Sequence, residues 1–171
     1  MEPVEVRLST GEKVILREVR DDDLPRLIEM YTTLGDESMR FLRPYRFTAS
    51  EVREMHARVD RKKVFSIVAE NKNGKIVAEG RLIRYSNSSA EFGMIVHDSY
   101  QNKKLGQSLL KAILNLATQI GVKRLIGFCS VENKVALHIY TKFGFRIEKE
   151  FKPEESILGR EEGVVRLSII L

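Results

Sequence analysis

The fold is decided by residues 90–120, which read AEFGMIVHDSYQNKKLGQSLLKAILNLATQI. Residues 91–96 are mainly apolar and β-prone, and a polar segment at 97–99 ends that run. Further along, apolar residues recur at helical spacing on one face: Leu105, Leu109, Ile113, Leu116 and Ile120. The stretch therefore predicts a strand, a polar turn and a long amphipathic helix.

The polar turn has the properties of an anion site. The first backbone N–H groups of a helix have no intrahelical partner, and the helix dipole favours negative charge there. Residues 101–107, QNKKLGQ, add two lysines and a glycine to this position. Most strand–turn–helix connections bind nothing, so this stretch alone leaves a phosphate site and an ordinary connection equally open.

Length and composition indicate one globular domain. The chain has 171 residues, of which 43% are hydrophobic and 31% are charged, and it can bury a sizeable core. No apolar run approaches the length that a membrane span needs. The first residues lack the basic and then apolar pattern of a signal peptide. We therefore expect a cytoplasmic protein with no membrane partner.

The cysteine and histidine content and the net charge limit which disulfides, metal sites and anionic ligands we expect. The single cysteine, Cys129, excludes an internal disulfide framework and is expected to be a small core residue. The histidines His56, His97 and His138 show no metal-ligand spacing, so we expect no metal. The net charge of +5 permits an anionic cofactor or a nucleic acid. Because the basic residues are scattered among acids, nucleic acid is not favoured; such binding would depend steeply on salt.

The remaining patterns predict an α/β (α+β) fold, in which helices cover both faces of a mixed sheet. The predicted strands are 4–8, 13–19, 64–70, 75–84, 90–96, a short buried strand at 125–129 within the segment 123–130, 145–151 and 164–171. The predicted helices are one from the acidic run 21–23 to Gly35, one capped by Thr48, 105–120 and 133–143. Residues 36–47 are expected to form a loop or a short helical turn.

This order of elements resembles the GNAT superfamily of acetyl-CoA-dependent N-acetyltransferases. The family signature is Gln/Arg-x-x-Gly-x-Gly/Ala; Gln101 and Gly106 match it, whereas Lys104 stands at the first glycine. Downstream, Asn133, a helix with Tyr140, and a Gly-Phe pair at 144–145 match in full. The resemblance covers nearly the whole chain. It implies a single N-acetyltransferase domain over residues 1–171, with a mainly antiparallel central sheet.

A narrower likeness is to the catalytic domain of Pat-type protein lysine acetyltransferases. It rests on the opening hairpin, the acidic helix start, SMRFL at 38–42, IVAEG at 76–80 and AEF at 90–92. It implies direct transfer in a ternary complex to a protein lysine, in an acceptor cleft walled by residues 36–47 and 152–163. Small amines such as a polyamine or an aminoglycoside, and a protein N-terminal amine, stay open as acceptors. A non-catalytic acyl-CoA-binding module and a homodimer stay open as well.

The resemblance also implies two catalytic residues. Glu91 would be the general base that removes a proton from the acceptor amine, with Glu79 on the preceding strand as the second candidate. Alternatively, Glu91 is a strand residue that faces solvent. Tyr140 would be the general acid that protonates the leaving thiolate, or it is only a core aromatic residue.

Acetyl-CoA would be a co-substrate held along the opening stretch. Backbone groups of Met94, Ile95 and Val96 would pair with the pantetheine arm where this strand diverges from the next, and one N–H would polarise the thioester. Asn133 would contact the cofactor, or serve as a helix N-cap. The pyrophosphate would meet backbone N–H groups of Gln101, Asn102, Lys103, Lys104, Leu105, Gly106 and Gln107.

Overall fold

An eight-stranded sheet forms the centre of the molecule, as described by a computed structural model for residues 1–42, 47–155 and 163–171. The strands are β1 (Val4–Arg7), β2 (Lys13–Glu18), β3 (Val64–Asn71), β4 (Ile76–Arg84), β5 (Ser89–Val96), β6 (Arg124–Ser130), β7 (Arg146–Phe151) and β8 (Val164–Ile170). Their spatial order is β1-β2-β3-β4-β5-β6-β8-β7. Among these described strands, β5 and β6 are the only parallel neighbours. The predicted mixed, mainly antiparallel sheet is confirmed.

Five helices accompany the described strands: α1 (Leu24–Thr32), α2 (Asp36–Leu42), α3 (Ala49–Ala57), α4 (Leu105–Gln119) and α5 (Lys134–Lys142). None of the helices within the described ranges is both long and apolar enough to cross a membrane. The predicted capping box at Thr48 is confirmed, since its hydroxyl accepts a hydrogen bond from the Glu51 N–H. Gly121 follows α4 with φ at +82°, the left-handed conformation expected of a helix C-cap.

The segment between α1 and α3 differs from the prediction. Helix α1 ends at Thr32 rather than Gly35, because the Gly35 N–H bonds to the Asp98 carboxylate at 2.7 Å and not to a carbonyl of the helix. Helix α2 then occupies residues for which a loop or short helical turn was predicted. Asp36 and Glu37 favour its first turn through the helix dipole. The rest of that predicted segment, 43–46, lies outside the described residues.

Helices cover both faces of the sheet, as predicted. On the α4 face, a Cβ added to Gly80 would lie 2.6 Å from the Ile113 Cδ1 atom, so α4 sits directly on β4. On the opposite face, which we call the α1 face, Leu27 and Val52 pack with Ile95 of β5. Because side chains alternate along a strand, residues 91 and 93 share the α1 face with Ile95.

The strands β5 and β6 diverge in the middle of the sheet. They pair at four positions, from Ser89 opposite Arg124 to Phe92 opposite Gly127. Beyond Gly127, β6 continues to pair with β8 as far as Ser130. Residues 93–96 of β5 therefore have no β6 partner, which leaves a wedge-shaped cleft. The predicted divergence is confirmed, and the cleft opens at the carboxyl ends of both strands, where ligands bind in α/β folds.

Candidate active site

A pocket of about 550 Å³ passes through the cleft between β5 and β6. Glu91 and Gly93 line it on the α1 face, whereas Phe92, Met94 and Tyr140 line it from the α4 side. The pocket thus connects the two faces of the sheet. Two substrates that approach from opposite faces could meet in it.

Glu91 lies in this pocket, and one of its carboxylate oxygens accepts no hydrogen bond from the described residues. Its side chain is partly exposed, and its Oε2 atom accepts a hydrogen bond from the Tyr85 hydroxyl. Burial and this hydrogen bond raise the pKa of Tyr85, so the phenol stays protonated and remains a donor. The Oε1 atom makes no hydrogen bond to any residue that the structure describes. It can therefore take a proton from a substrate amine.

Glu79, the second candidate base, is enclosed in a polar network under α1 and α3. The residue is 1% exposed, and its carboxylate accepts a 2.6 Å hydrogen bond from the Tyr31 hydroxyl and binds Arg81 Nε at 2.9 Å. His56 completes the network, with 2.6 Å between its Nε2 atom and Arg81 Nη2, and burial lowers the pKa of the imidazole. Because both carboxylate oxygens are engaged and Glu79 does not line the pocket, the geometry favours Glu91.

Tyr140 places a buried hydroxyl at the pocket. It is 7% exposed, and its ring packs edge-on against Phe92 with centroids 5.3 Å apart. Burial, and to a smaller extent the neighbouring Cys129, raises the pKa of the phenol. Its hydroxyl makes no hydrogen bond within the described part of the chain, although buried tyrosines usually find a partner. The unused donor fits a substrate atom such as a thiolate.

Only alternate residues of β5 direct their backbone N–H and C=O groups into the cleft. The His97 N–H bonds to the Val77 carbonyl at 2.9 Å, which makes 97 and 77 a hydrogen-bonded antiparallel pair. By alternation, the pair Ile95–Glu79 is also hydrogen-bonded, and the N–H and C=O groups of Met94 and Val96 point away from β4. The backbone N–H and C=O groups of Ile95 therefore point toward β4 and not into the cleft, and its predicted contact with the pantetheine arm stays a prediction. Met94 and Val96 are the residues that face the diverging side.

The turn before α4 has an unusual backbone. Asn102 and Lys104 have φ at +58° and +66°, and Lys104 is the N-cap of α4 without a side-chain cap. Lys104 stands where the family signature has its first glycine, and its backbone is in the left-handed conformation. Glycine adopts this conformation without strain. The N–H groups of residues 105–107 open the helix without intrahelical partners, and they could hold a pyrophosphate.

The other predicted cofactor residues differ in the contacts that they already make within the protein. A Cβ on Gly106 would meet Met94 Cε at 3.5 Å, an ordinary contact, so the protein itself does not demand glycine there. The ammonium of Lys103 lies over the Tyr100 ring, 4.5 Å from its centroid. The Asn133 side chain accepts a 3.1 Å hydrogen bond from the Ala136 N–H, so it caps α5 while it also lines the pocket.

Two residues that hold the turn were not identified from the sequence. The Ser38 hydroxyl donates to Asp98 Oδ1 and accepts from Gln101 Nε2, both at 2.7 Å. Partial burial favours the neutral acid, but hydrogen bonds from the Gly35 N–H and the Ser38 hydroxyl outweigh it and hold the pKa of Asp98 below its usual value. Gln101 Nε2 also bonds to the Val96 carbonyl at 3.1 Å. No local pattern marks Ser38, because its partners lie about 60 residues away in the chain.

Helix α2 lies beside the mouth of the pocket. Phe41 and Leu42 line the pocket, and Arg40 forms an ion pair with Glu132, next to Asn133. The described part of the predicted acceptor wall at 36–47 is therefore mainly α2, and its contact with an acceptor stays a prediction. The wall predicted at 152–163 falls mostly on residues 156–162, outside the described residues. Within the described ranges, no group of three or more His, Cys, Asp or Glu side chains could hold a metal ion.

Comparisons with known proteins agree with this geometry. The acetyltransferase (GNAT) domain model matches residues 13–146. Spermidine N(1)-acetyltransferase of Escherichia coli K12 is 25% identical over 165 residues, which cover 95% of this chain and 88% of that protein. The GNAT domain of S. lividans PAT superimposes with a TM-score of 0.81 and 24% identity, over 99% of this chain and 97% of that one.

A structure with bound CoA is also similar. Spermidine N-acetyltransferase from Vibrio cholerae, in complex with CoA and spermine, superimposes with a TM-score of 0.76 and 24% identity, over 92% of this chain and 95% of that one. The family model covers most of the chain, including the cleft and the turn before α4. The chain therefore belongs to the GNAT family, and it is an N-acetyltransferase that uses acetyl-CoA as its co-substrate.

Proposed function

We propose that this enzyme transfers the acetyl group of acetyl-CoA directly to the side-chain amine of a protein lysine, with Glu91 as general base and Tyr140 as general acid. The observation that carries the proposal is that both residues line one pocket through the cleft, on opposite faces of the sheet. A base on one face and an acid on the other suit a reaction whose two substrates meet between β5 and β6.

Each catalytic residue acts on one proton. Glu91 accepts the proton of the acceptor ammonium, so that the neutral amine can attack the thioester carbonyl. A cleft-facing N–H of Met94 or Val96 polarises that carbonyl oxygen. Tyr140 donates its proton to the departing sulfur, and the attacking nitrogen releases its second proton to solvent, from which the phenol is reprotonated. Burial keeps the phenol protonated before this transfer. Acetyl-CoA supplies the activated acetyl group, and the N–H groups of residues 105–107 hold its pyrophosphate.

The pocket lining supports a lysine acceptor over a polyamine. Among its described residues, Glu91 is the only carboxylate and Arg166 carries positive charge. Phe41, Leu42 and Phe128 give the lining an apolar part. Lysine brings one ammonium on an apolar four-carbon stem, which fits one carboxylate in apolar surroundings. A polyamine brings several cations, which Arg166 would repel.

A polyamine is the second candidate, because a spermidine acetyltransferase aligns with 95% of this chain. The two functions are separated by measuring kcat/KM, as CoA release, for spermidine and for lysine peptides with blocked N-termini. Mass spectrometry locates the acetyl group, and a peptide with arginine in place of lysine is the control. We expect acetylation of the lysine amine and a lower kcat/KM for spermidine. Faster turnover of spermidine than of the lysine peptides would overturn the proposal.

A further inference from the structure

Three arginines lie on the α1 face beside the acceptor side of the pocket. Ser168 of β8 is opposite Ile126 of β6 and opposite Arg146 of β7. Neighbours across a sheet share a face, as do residues two apart in one strand. Arg124, Arg146 and Arg166 therefore surround Ser168 on this face. We call these three residues the arginine cluster.

One carboxylate partly neutralises the arginine cluster. Glu148 binds Arg124 Nη2 at 2.5 Å and Arg166 Nε at 3.1 Å, and it accepts a 2.5 Å hydrogen bond from the Ser168 hydroxyl. Three guanidinium groups and one carboxylate leave a net charge of about +2. The Arg166 side chain is 40% exposed, and its Nη atoms make no bond to residues within the described ranges. They are available to an anionic partner.

The spacing between Glu91 and Arg166 restricts the shape of that partner. Glu91, Ile126 and Ser168 are neighbours across β5, β6 and β8, and Arg166 lies two residues from Ser168. Two strand spacings and two residues along a strand put the Glu91 and Arg166 Cα atoms roughly 12 Å apart. A free amino acid that reacts at its α-amine carries this amine and its carboxylate on one carbon, which fits this spacing of the two residues poorly. A lysine with an acidic residue nearby in the same segment can span this distance.

This inference rests on the proposed lysine acceptor and names what surrounds it. We infer that the protein substrate carries an aspartate or glutamate within about three residues of the target lysine, and that Arg166 binds this carboxylate. Arg124 and Arg146 strengthen the local positive potential. Arg166 is then a specificity residue, because it selects the acceptor without taking part in the proton transfers.

The test uses peptides with a blocked N-terminus and one lysine. Sets of peptides place glutamate or glutamine at each position within three residues of the target, and kcat/KM is measured for each. Wild type should prefer glutamate over glutamine at one or more positions by about three- to fivefold, as for a partly exposed ion pair. Arg166→Gln should bring this ratio close to one. Arg58→Gln, which removes a charge from an 81% exposed arginine at the end of α3, should keep the wild-type ratio.

Glu148→Gln should change the ratio of kcat/KM between glutamate and glutamine peptides in the direction opposite to Arg166→Gln. It removes the carboxylate that Arg124 and Arg166 share, so the preference for glutamate should rise. A wild-type ratio near one at every position would overturn the inference while lysine acetylation stands. A preference that survives in Arg166→Gln would also overturn it. Turnover of spermidine with no acetylation of any peptide lysine would overturn the proposed function, and this inference with it.

Discussion

The Ser38 hydroxyl donates a 2.7 Å hydrogen bond to the Asp98 carboxylate, which joins α2 to the turn that precedes α4. Helix α2 carries Phe41 and Leu42 in the pocket, and the same hydroxyl accepts a hydrogen bond from Gln101 at the start of the turn. One side chain therefore connects the acceptor side of the site with the predicted pyrophosphate side.

Replacing Ser38 with alanine should disturb the cofactor turn. Asp98 and Gln101 would each lose a hydrogen bond with the Ser38 hydroxyl; because Asp98 is only partly buried and Gln101 is exposed, water can replace part of this loss, and the free energy of unfolding should fall by about 1 kcal/mol. We expect KM for acetyl-CoA to rise by several-fold, because the turn is less well held. Urea denaturation and steady-state kinetics measure the two effects. Ser50→Ala, on the exposed side of α3, is the control, and an unchanged KM in Ser38→Ala would show that the turn is held by other contacts.

The two candidate bases can be separated with a matched pair of variants. Glu91→Gln should lower kcat by about 10²-fold or more, with little change in stability, because it removes a general base from a partly exposed position. Glu79→Gln should instead destabilise the fold by roughly 3 kcal/mol, since it leaves Arg81 without its buried counter-charge. CoA release and urea denaturation measure these effects. Equal CoA release by wild type and Glu91→Gln would mean that Glu91 is not the base.

The sequence predicted what depends on periodicity and caps, and it missed what depends on long-range contacts. The strands, α4 and the Thr48 cap follow from local patterns. The sequence placed Glu91 before Glu79 as the candidate base but could not show what either carboxylate contacts, because both lie on the α1 face and only the tertiary structure places Tyr31 over Glu79. The orientation of the Ile95 backbone depends on the register between β4 and β5, which no local pattern gives.

The left-handed conformation of Lys104 predicts an unusual order of stability for two variants. Lys104→Gly and Lys104→Ala remove the same charge, but only alanine keeps a Cβ at φ +66°. The glycine variant should be more stable than the alanine variant by about 1 kcal/mol, after allowing for the greater freedom of glycine in the unfolded chain. Urea denaturation measures the difference, and a more stable alanine variant would contradict it.

The same pair tests whether the Lys104 ammonium contacts the cofactor. If it does, both variants should bind CoA about threefold or more weakly than wild type at low salt, and the loss should shrink as salt is added. Isothermal titration calorimetry at two salt concentrations measures this. Affinity equal to that of wild type in both variants would leave the backbone N–H groups of residues 105–107 as the phosphate ligands.

Tyr140→Phe should separate catalysis from stability. The Tyr140 hydroxyl makes no hydrogen bond to the described residues, so its removal should leave the free energy of unfolding at neutral pH nearly unchanged. Loss of the proton donor should nevertheless lower kcat by about 10²-fold, the usual scale for a general acid. An unchanged kcat would leave Tyr140 as a core aromatic residue packed on Phe92.

The raised pKa of Tyr140 also predicts how stability changes at alkaline pH. Above pH 10.0, the ordinary value for tyrosine, the unfolded chain loses the phenol proton while the folded protein keeps it, because burial disfavours the phenolate. The stability is fully present below that pH and falls as pH rises, by at most about 1.4 kcal/mol per pH unit for one group. Tyr140→Phe removes this group, so its unfolding free energy should fall less steeply above pH 10.0 than that of wild type. Parallel slopes for the two proteins would mean that the phenol ionises as readily in the folded protein as in the unfolded chain.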